Sequence, residues 1–219
     1  MLDVIAVTVC VNLSDILHTS LSFNKKYFKN YYVVTCPTDF ATKNVCNQLN
    51  VQLIEYTDFN IDNAVFNKSG ALKFAQNLIH ARHLGEWILL LDADIVLTKE
   101  WFASLNYRLT YHLLNEQYLY SCSRYDVWST QEFLERVKTR KYPIPGAGYM
   151  QLYYDKSKYY PSFSTNASKC DIDFALLFTY RQDIDPMCFV YHLGKENAHW
   201  NGAITINDIN FNSIVGENV

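Results

Sequence analysis

The sequence lacks the short motifs and the long apolar runs that identify several large classes of protein. Its six cysteines form no C-x-x-C pair, so a zinc site of the common type is not expected. No apolar run reaches the ~20 residues that span a membrane. The G-x-G-x-x-G and G-x-x-x-x-G-K spacings are also absent, which disfavours a dinucleotide cofactor and a phosphate-binding P-loop.

An excess of positive charge is missing as well. The chain has 19 Lys and Arg residues against 22 Asp and Glu, a net charge of -3, and no basic stripe stands out. A nucleic-acid surface is therefore not expected. The N-terminus has no basic segment before its first apolar run, which disfavours a signal peptide. The scattered cysteines then indicate reduced thiols and a cytoplasmic protein. The chain could also be one domain of a longer polypeptide.

The sequence does contain the strand–helix alternation of an α/β domain. Its 219 residues are 49% hydrophobic and 19% charged, which is enough for a large core. Alternating strands and helices predict a parallel sheet with right-handed crossovers. We expect a single domain with a soft division near residue 98. The predicted strands are 4–11, 31–36, 51–56, 87–97, 118–122, 149–154 and 187–193, and the predicted helices are 12–29, 42–49, 69–84, 99–106, 130–139 and 171–180.

The most informative stretch is the apolar run 87–97, which is interrupted by two carboxylates. Apolar residues on both faces predict a strand in the middle of a sheet. Asp92 and Asp94 are one residue apart, so in an extended chain both would face the same side. Two carboxylates that close repel each other unless a cation lies between them. A hard divalent cation with positions left for phosphate oxygens is the expected partner.

A βαβαβ segment followed by a buried strand with Asp-x-Asp resembles the sequence of the nucleotide-sugar glycosyltransferases with the GT-A fold. In that family the D-x-D motif holds Mn²⁺ or Mg²⁺ against the donor diphosphate. Residues 145–153 are similar to the turn and strand that line its acceptor side, and residues 190–200 to its late metal-binding segment. The compact chain resembles the GT-A domains of chlorella-infecting viruses. The resemblance implies an α/β fold with a mixed, mainly parallel central sheet flanked by helices. Residues 1–98 would be the nucleotide-binding half and 99–219 the acceptor half.

The resemblance also implies roles for individual residues. His192 would complete the metal site with Asp92 and Asp94, a donor set that suits Mn²⁺. An inverting transfer needs a carboxylate to take the acceptor proton; Asp173 is the first candidate and Asp171 the second, with helix capping as the alternative for Asp171. The donor-side positions are Thr8, Val9, Cys10, Thr35, Lys68, Gly70, Lys73, Ala93, Gly194 and Lys195. The acceptor-side positions are Gly148, Tyr149, His199 and Trp200.

The activity that the resemblance implies is transfer of a hexose or deoxyhexose, such as glucose or rhamnose, from a UDP-sugar to a glycan hydroxyl. Inversion of the anomeric centre is expected, but Asp-Ala-Asp is also similar to the motif of glycogenin-like retaining enzymes, so that alternative stays open. A viral protein of this kind would act in the host cytoplasm.

Three other classes share part of this pattern. Leu-Leu-Leu-Asp-Ala-Asp also matches the first motif of haloacid-dehalogenase-like phosphatases, where two Asp residues act with Mg²⁺. That motif usually opens its fold, whereas three predicted strand–helix units precede it here, and the late Gly-Asp-x-x-Asp is missing. A nucleotidyltransferase would show a glycine-rich basic loop where this chain has Asn-Leu-Ser-Asp. A carbohydrate-binding module would explain the aromatic residues but not the Asp pair.

Overall fold

The computed structural model describes residues 1–61, 64, 66–127, 140–141, 148–165 and 167–193. Strands, helices and one 3₁₀ turn follow one another along these residues. Their order is β1 (Leu2–Val9), α1 (Ser14–Asn24), the 3₁₀ turn (Lys25–Tyr27), β2 (Phe28–Thr35), α2 (Phe40–Gln48), β3 (Gln52–Glu55), α3 (Lys68–Arg82), β4 (Trp87–Leu91), β5 (Ile95–Leu97), α4 (Lys99–Thr110), β6 (Tyr118–Ser121), β7 (Ser123–Val127), β8 (Arg140–Lys141), β9 (Met150–Tyr153), α5 (Ala167–Ala175), β10 (Tyr180–Asp183) and β11 (Phe189–Leu193).

A seven-stranded sheet in the order β10-β6-β9-β4-β1-β2-β3 forms the centre of the molecule. β1 is parallel to β2 and β4, β2 to β3, and β6 to β10. β9 runs antiparallel between β4 and β6. The expected mixed, mainly parallel sheet is confirmed. Strands from before and after residue 98 join in this one sheet.

Both faces of the sheet are covered by helices, which explains why β1 and β4 have no polar face. On β1, Leu2, Val4 and Ala6 belong to one hydrophobic cluster with α1 and α2, and Ile5, Val7 and Val9 to another with α3 and α5. Alternate residues of β4 divide between the same two clusters. A central strand of this kind has a continuous apolar sequence, because successive side chains pack into the hydrophobic clusters on opposite faces of the sheet.

The predicted single strand 87–97 is wrong, because the chain turns at residues 92–94. The Ile95 N–H donates to the Asp92 carbonyl at 3.2 Å, which closes the turn. β4 therefore ends in the large sheet, and β5 belongs to a second, four-stranded sheet in the order β5-β11-β7-β8. Asp92 and Asp94 lie in the turn between the two sheets rather than on one extended strand.

Helix α1 holds this turn in place through two polar side chains. The Ser20 hydroxyl donates to the Ala93 carbonyl at 2.5 Å. The Asn24 side chain donates to the Ile95 carbonyl at 2.7 Å and accepts from the Leu97 N–H at 2.9 Å. Asn24 thus takes the place of a neighbouring strand on one edge of β5, and its contacts could not be inferred from residues 87–97 alone.

Other boundaries differ from the prediction by enough to change how residues are interpreted. The helix predicted at 171–180 is α5, which begins at Ala167 and ends at Ala175, while Tyr180 opens β10. Asp171 therefore lies inside the helix and is not its N-cap. The helix predicted at 130–139 lies outside the described residues.

In the described part of the chain, no helix has the length and apolarity needed to cross a membrane.

Candidate active site

The first cluster of the candidate site forms around a buried lysine at the start of α3. The Lys68 ammonium lies 2.8 Å from Asp92 Oδ1 and 3.0 Å from Asp171 Oδ2. Burial alone would lower the pKa of Lys68, but the negative charges of Asp171 and Asp92 raise it well above its ordinary value. Loss of water around Asp92 raises the pKa of that carboxyl, Lys68 lowers it, and the net direction is upward. One cation therefore serves two carboxylates that come from different parts of the chain.

Asp171 makes polar contacts through both its carboxylate and its backbone carbonyl. The Tyr160 hydroxyl donates to Asp171 Oδ1 at 2.9 Å, and the Gln151 side-chain amide donates to the Asp171 carbonyl at 3.1 Å. Gly148 packs directly against the same carboxyl, since a Cβ at position 148 would lie 1.9 Å from Asp171 Oδ2. These contacts leave Asp171 little freedom to move, and they explain why position 148 has no side chain.

The second cluster forms around His192 on β11. Its Nε2 lies 3.2 Å from Asp94 Oδ2, and its Nδ1 lies 3.1 Å from Asp126 Oδ1. The backbone joins the same groups, because the Leu193 N–H donates to the Asp94 carbonyl at 2.8 Å. Arg124 completes the cluster with its Nε 3.1 Å from Asp126 Oδ1. The turn 92–94 thus directs its two carboxylates to different partners, Asp92 to Lys68 and Asp94 to His192.

The surroundings of His192 favour its charged form. Burial alone would lower the pKa of His192, but the charge of Asp94 and hydrogen bonds to Asp126 and Asp94 raise it to about 9. In this environment the protonated ring would direct its two N–H groups at Asp94 and Asp126. A metal ion bound at this point would replace the Nε2 proton.

The donor set around Asp94 fits Mn²⁺ or Mg²⁺ in part. Among the described residues, no group of three or more His, Cys, Asp and Glu side chains is arranged to hold a metal ion. Asp94 Oδ2 and His192 Nε2 are nevertheless 3.2 Å apart, close to the ~3 Å that separates adjacent ligands in octahedral coordination with bonds of about 2.1 Å. A carboxylate behind the imidazole, here Asp126, is the usual support of a metal-binding histidine. Asp92 would join them only by exchanging Lys68 for the ion.

The two candidate bases are not equivalent in the structure. Asp171 lies in the first cluster, in contact with Lys68, whereas Asp173 is half-buried with no hydrogen bond or ion pair to the cluster among the described contacts. Residues two apart on a helix lie about 200° apart around its axis, so they cannot share a face. The structure therefore brings Asp171, and not Asp173, next to Asp92.

The side chains predicted on the donor side near β1 and β2 are mostly engaged inside the protein. The Thr8 hydroxyl lies 2.9 Å from the Tyr31 hydroxyl, and the Thr35 hydroxyl donates to Asp39 at 3.3 Å. Val9 and Cys10 are buried in the core. A nucleotide at these strand ends would therefore meet backbone groups more than these side chains.

The donor-side positions on α3 and in the turn differ in character. Lys68 is part of the first cluster, and the Lys73 ammonium donates to the Ser162 hydroxyl at 2.7 Å. Packing explains why position 70 is a glycine, since a Cβ there would lie 2.3 Å from the Tyr56 hydroxyl oxygen. Ala93 is buried, and its carbonyl is the one that Ser20 binds. Of these positions, Lys68 alone touches a candidate metal ligand in the described contacts.

On the acceptor side, Gly148 and Tyr149 lie next to the carboxylates. The Tyr149 carbonyl accepts from the Asp92 N–H at 3.0 Å, and its buried ring lies 4.8 Å below the Arg124 guanidinium. Its hydroxyl donates to the Cys122 carbonyl, so Tyr149 is not free to stack on a sugar. The remaining predicted positions lie outside the described residues: Gly194, Lys195, His199 and Trp200.

Four residues of the two clusters were not predicted from the sequence: Arg124, Asp126, Gln151 and Tyr160. Gln151 carries a recognisable signal, because it is a polar residue inside the buried strand β9. Arg124 and Asp126 belong to β7, a strand that the sequence pattern did not predict. Tyr160 lies in a loop, where no periodicity indicates which side chains turn inward.

Comparison with known proteins identifies the fold. No protein-family model matches the chain, and a search of curated proteins gives no match. Glucosyl-3-phosphoglycerate synthase from Mycobacterium tuberculosis, in complex with Mg²⁺ and UDP, is similar with a TM-score of 0.54 and 8% identity, over 88% of this chain and 72% of that chain. Its complex with Mn²⁺, UDP-glucose and phosphoglyceric acid gives a TM-score of 0.51 and 10% identity, over 90% and 74%. A structure described as a mycobacterial protein gives 0.55 and 8%, over 88% and 68%.

These similarities establish the class of fold. The chain has the α/β fold of the GT-A glycosyltransferases, with its carboxylate turn between the large and the small sheet. At identities of 8–10%, the similarity establishes the fold and leaves the activity to be argued from the site. The alternative that the protein is a haloacid-dehalogenase-like phosphatase is excluded, since those phosphatases have a different fold.

Proposed function

We propose that this protein is a metal-dependent glycosyltransferase that moves a hexose or deoxyhexose from a UDP-sugar to a glycan hydroxyl. The observation that carries the proposal is the Asp94–His192 pair, 3.2 Å apart, at the turn between the two sheets of a GT-A fold. UDP with Mn²⁺ or Mg²⁺ is named for solved structures of similar fold. The donor class in this proposal rests on that similarity, and the glycan acceptor on the sequence resemblance.

Asp94 and His192 would hold Mn²⁺ or Mg²⁺, with Asp92 as a third ligand when Lys68 leaves it. When bound, such an ion would supply positive charge for the diphosphate leaving group. Lys68 stays beside Asp171 in the same site, 3.0 Å away. Because the neighbouring carboxylates keep it charged, Lys68 would add a second positive group close to the leaving diphosphate.

Asp171 is the base that the geometry favours. It shares Lys68 with Asp92, so it belongs to the same cluster as a candidate metal ligand. Asp173 lies on another face of α5 and is the weaker candidate. In an inverting transfer, Asp171 would accept the proton of the acceptor hydroxyl as that oxygen attacks the anomeric carbon.

A retaining glycosyltransferase is the second candidate, and one observation favours it. Both carboxylate oxygens of Asp171 already accept hydrogen bonds, one from Tyr160 and one from Lys68. A carboxylate held in this way also suits a purely structural role. Asp171 would then shape the acceptor side without taking a proton.

The test is release of UDP from UDP-glucose and related UDP-sugars in the presence of glycan acceptors. We expect turnover by metal-stripped protein only after Mn²⁺ is added. Asp171→Asn should lower the transfer rate by roughly 10²–10⁴-fold, the usual contribution of a general base. Asp173→Asn, the same change two residues along the helix, should leave the rate near that of the wild type.

Two outcomes would change the proposal. No turnover of any UDP-sugar with Mn²⁺ would contradict the glycosyltransferase function. Transfer at the wild-type rate by Asp171→Asn, with a product of retained anomeric configuration by NMR, would establish the retaining alternative.

A further inference from the structure

We propose that Asp126 is a positioning residue for the metal site, which fixes the orientation and the tautomer of His192. The inference rests on the proposed function, since it concerns how the metal ligand is held. It starts from a contact that sequence analysis did not anticipate, the 3.1 Å separation of His192 Nδ1 and Asp126 Oδ1.

The contact is built into the small sheet. β7 and β11 are parallel neighbours, and their register places His192 directly beside Asp126. Side chains at registered positions of adjacent strands project from the same face of a sheet. The backbone pairing of β7 with β11 therefore places the carboxylate next to the imidazole, and the side-chain rotamers complete the contact.

Asp126 is itself held firmly. Its side chain is 8% exposed, and Arg124 Nε lies 3.1 Å from the same Oδ1 that faces His192. Arg124 in turn lies over the ring of Tyr149, whose carbonyl accepts from the Asp92 N–H. The charge of Asp126 is thus compensated by Arg124 when His192 is neutral, so the pair does not depend on a protonated ring.

This arrangement decides which nitrogen of His192 is available. An Nδ1–H that donates to Asp126 leaves Nε2 as the atom with a lone pair once the ring is neutral. Nε2 is also the atom that lies 3.2 Å from Asp94 Oδ2. Asp126 therefore directs the correct nitrogen to the side where Asp94 provides the neighbouring ligand.

The experiment is a titration of metal-free protein with Mn²⁺ in the presence of UDP, with free Mn²⁺ measured by electron paramagnetic resonance. Asp126→Asn should weaken Mn²⁺ binding about 10–100-fold, the usual effect of losing the carboxylate behind a ligating histidine. The metal-free variant should unfold at a lower temperature than the wild type, because Arg124 loses its carboxylate partner, so binding is compared at a temperature where both proteins are folded by circular dichroism. Asp126→Glu, which keeps the carboxylate, should recover part of the affinity.

Asp185→Asn is the matched control. Asp185 also accepts a hydrogen bond from an arginine, Arg108 at 3.3 Å, but it belongs to neither cluster. Its variant should bind Mn²⁺ like the wild type. Nitrogen chemical shifts of His192 add a second readout, because loss of Asp126 should raise the fraction of the ring protonated at Nε2.

Each outcome bears on a different statement. Wild-type Mn²⁺ affinity in Asp126→Asn, or an equal loss in Asp185→Asn, would overturn the positioning role and leave the proposed function standing. No Mn²⁺ binding by the wild type, with or without UDP, would overturn both. If Asp126→Asn does not fold, the Asp126→Glu variant decides, since full wild-type affinity with a displaced carboxylate would contradict the role.

Discussion

At the scale of single residues, the site is organised by how its carboxylates are neutralised. Four of them lie in the two clusters: Asp92, Asp94, Asp126 and Asp171. Lys68 serves one pair and His192 the other. Charges removed from water are costly unless each has a partner, and removing one partner leaves the other uncompensated. In each cluster a cationic side chain balances the carboxylates, so binding an ion would mean exchanging a resident cation or proton.

The absence of a side chain at Gly148 is part of this arrangement. A Cβ at position 148 would lie 1.9 Å from Asp171 Oδ2, so Gly148→Ala must displace that carboxyl. We expect a loss of about 1–3 kcal/mol in the free energy of unfolding, as for other overpacked sites. Because Asp171 moves, the transfer rate should fall as well. Thermal unfolding and the UDP-release assay measure the two effects.

Gly85→Ala is the matched control for Gly148→Ala. A Cβ at position 85 has nothing within 4 Å, so the same substitution meets open space there. The control should be neutral or slightly stabilising, because alanine restricts the unfolded chain. Equal stability and equal transfer rates in the two variants would contradict the close contact between Gly148 and Asp171.

At the scale of secondary-structure elements, α1 supports the turn that carries Asp92 and Asp94. β5 is only three residues long and pairs with β11 on one edge. Its other edge is completed by Asn24, which bonds the Ile95 carbonyl and the Leu97 N–H. The position of the carboxylate turn therefore depends on a helix that lies about 70 residues earlier in the chain.

Asn24→Ala should be clearly destabilising. Asn24 is fully buried, so its loss leaves one backbone carbonyl and one backbone N–H of β5 without a partner. An unsatisfied buried group costs about 1–3 kcal/mol, and we expect a loss in that range or above it by chemical denaturation. Asn44→Ala, in the exposed face of α2, should change stability by less than about 0.5 kcal/mol. Equal effects of the two substitutions would show that Asn24 does not support β5.

The elements that sequence alone predicts well are those whose pattern is local. β1 and α3 follow from a continuous apolar run and from helical spacing, and their observed bounds, Leu2–Val9 and Lys68–Arg82, lie close to the predicted 4–11 and 69–84. The turn at 92–94 was not predicted, because the apolar residues on both sides of it together have the pattern of one strand. The hydrogen bonds that hold the turn come from α1, which is distant in the sequence. The end of α5 was missed because the apolar residues after Ala175 continue a helical pattern into a turn.

At the scale of the whole molecule, two sheets meet at one turn, and each cluster of the site takes one of its carboxylates. The apolar run around Asp92 and Asp94 indicated the site, although it was predicted as one extended strand, and the resemblance to GT-A enzymes implied the mixed sheet, His192, Lys68 and Asp171. Asp126 and Arg124 were not predicted, because the register of β7 with β11 is what brings them next to His192. Long-range pairing of this kind leaves no local signal in the chain.

The measurement that tests the central claim most directly is calorimetric titration of UDP into metal-stripped protein, with and without Mn²⁺. We predict UDP binding that depends on Mn²⁺ and is lost in Asp94→Ala, because Asp94 would be both a ligand of the ion and the neighbour of His192. Asp185→Ala should bind UDP like the wild type. UDP binding of equal strength with and without Mn²⁺, or no binding under either condition, would contradict a metal-dependent nucleotide-sugar site at this turn.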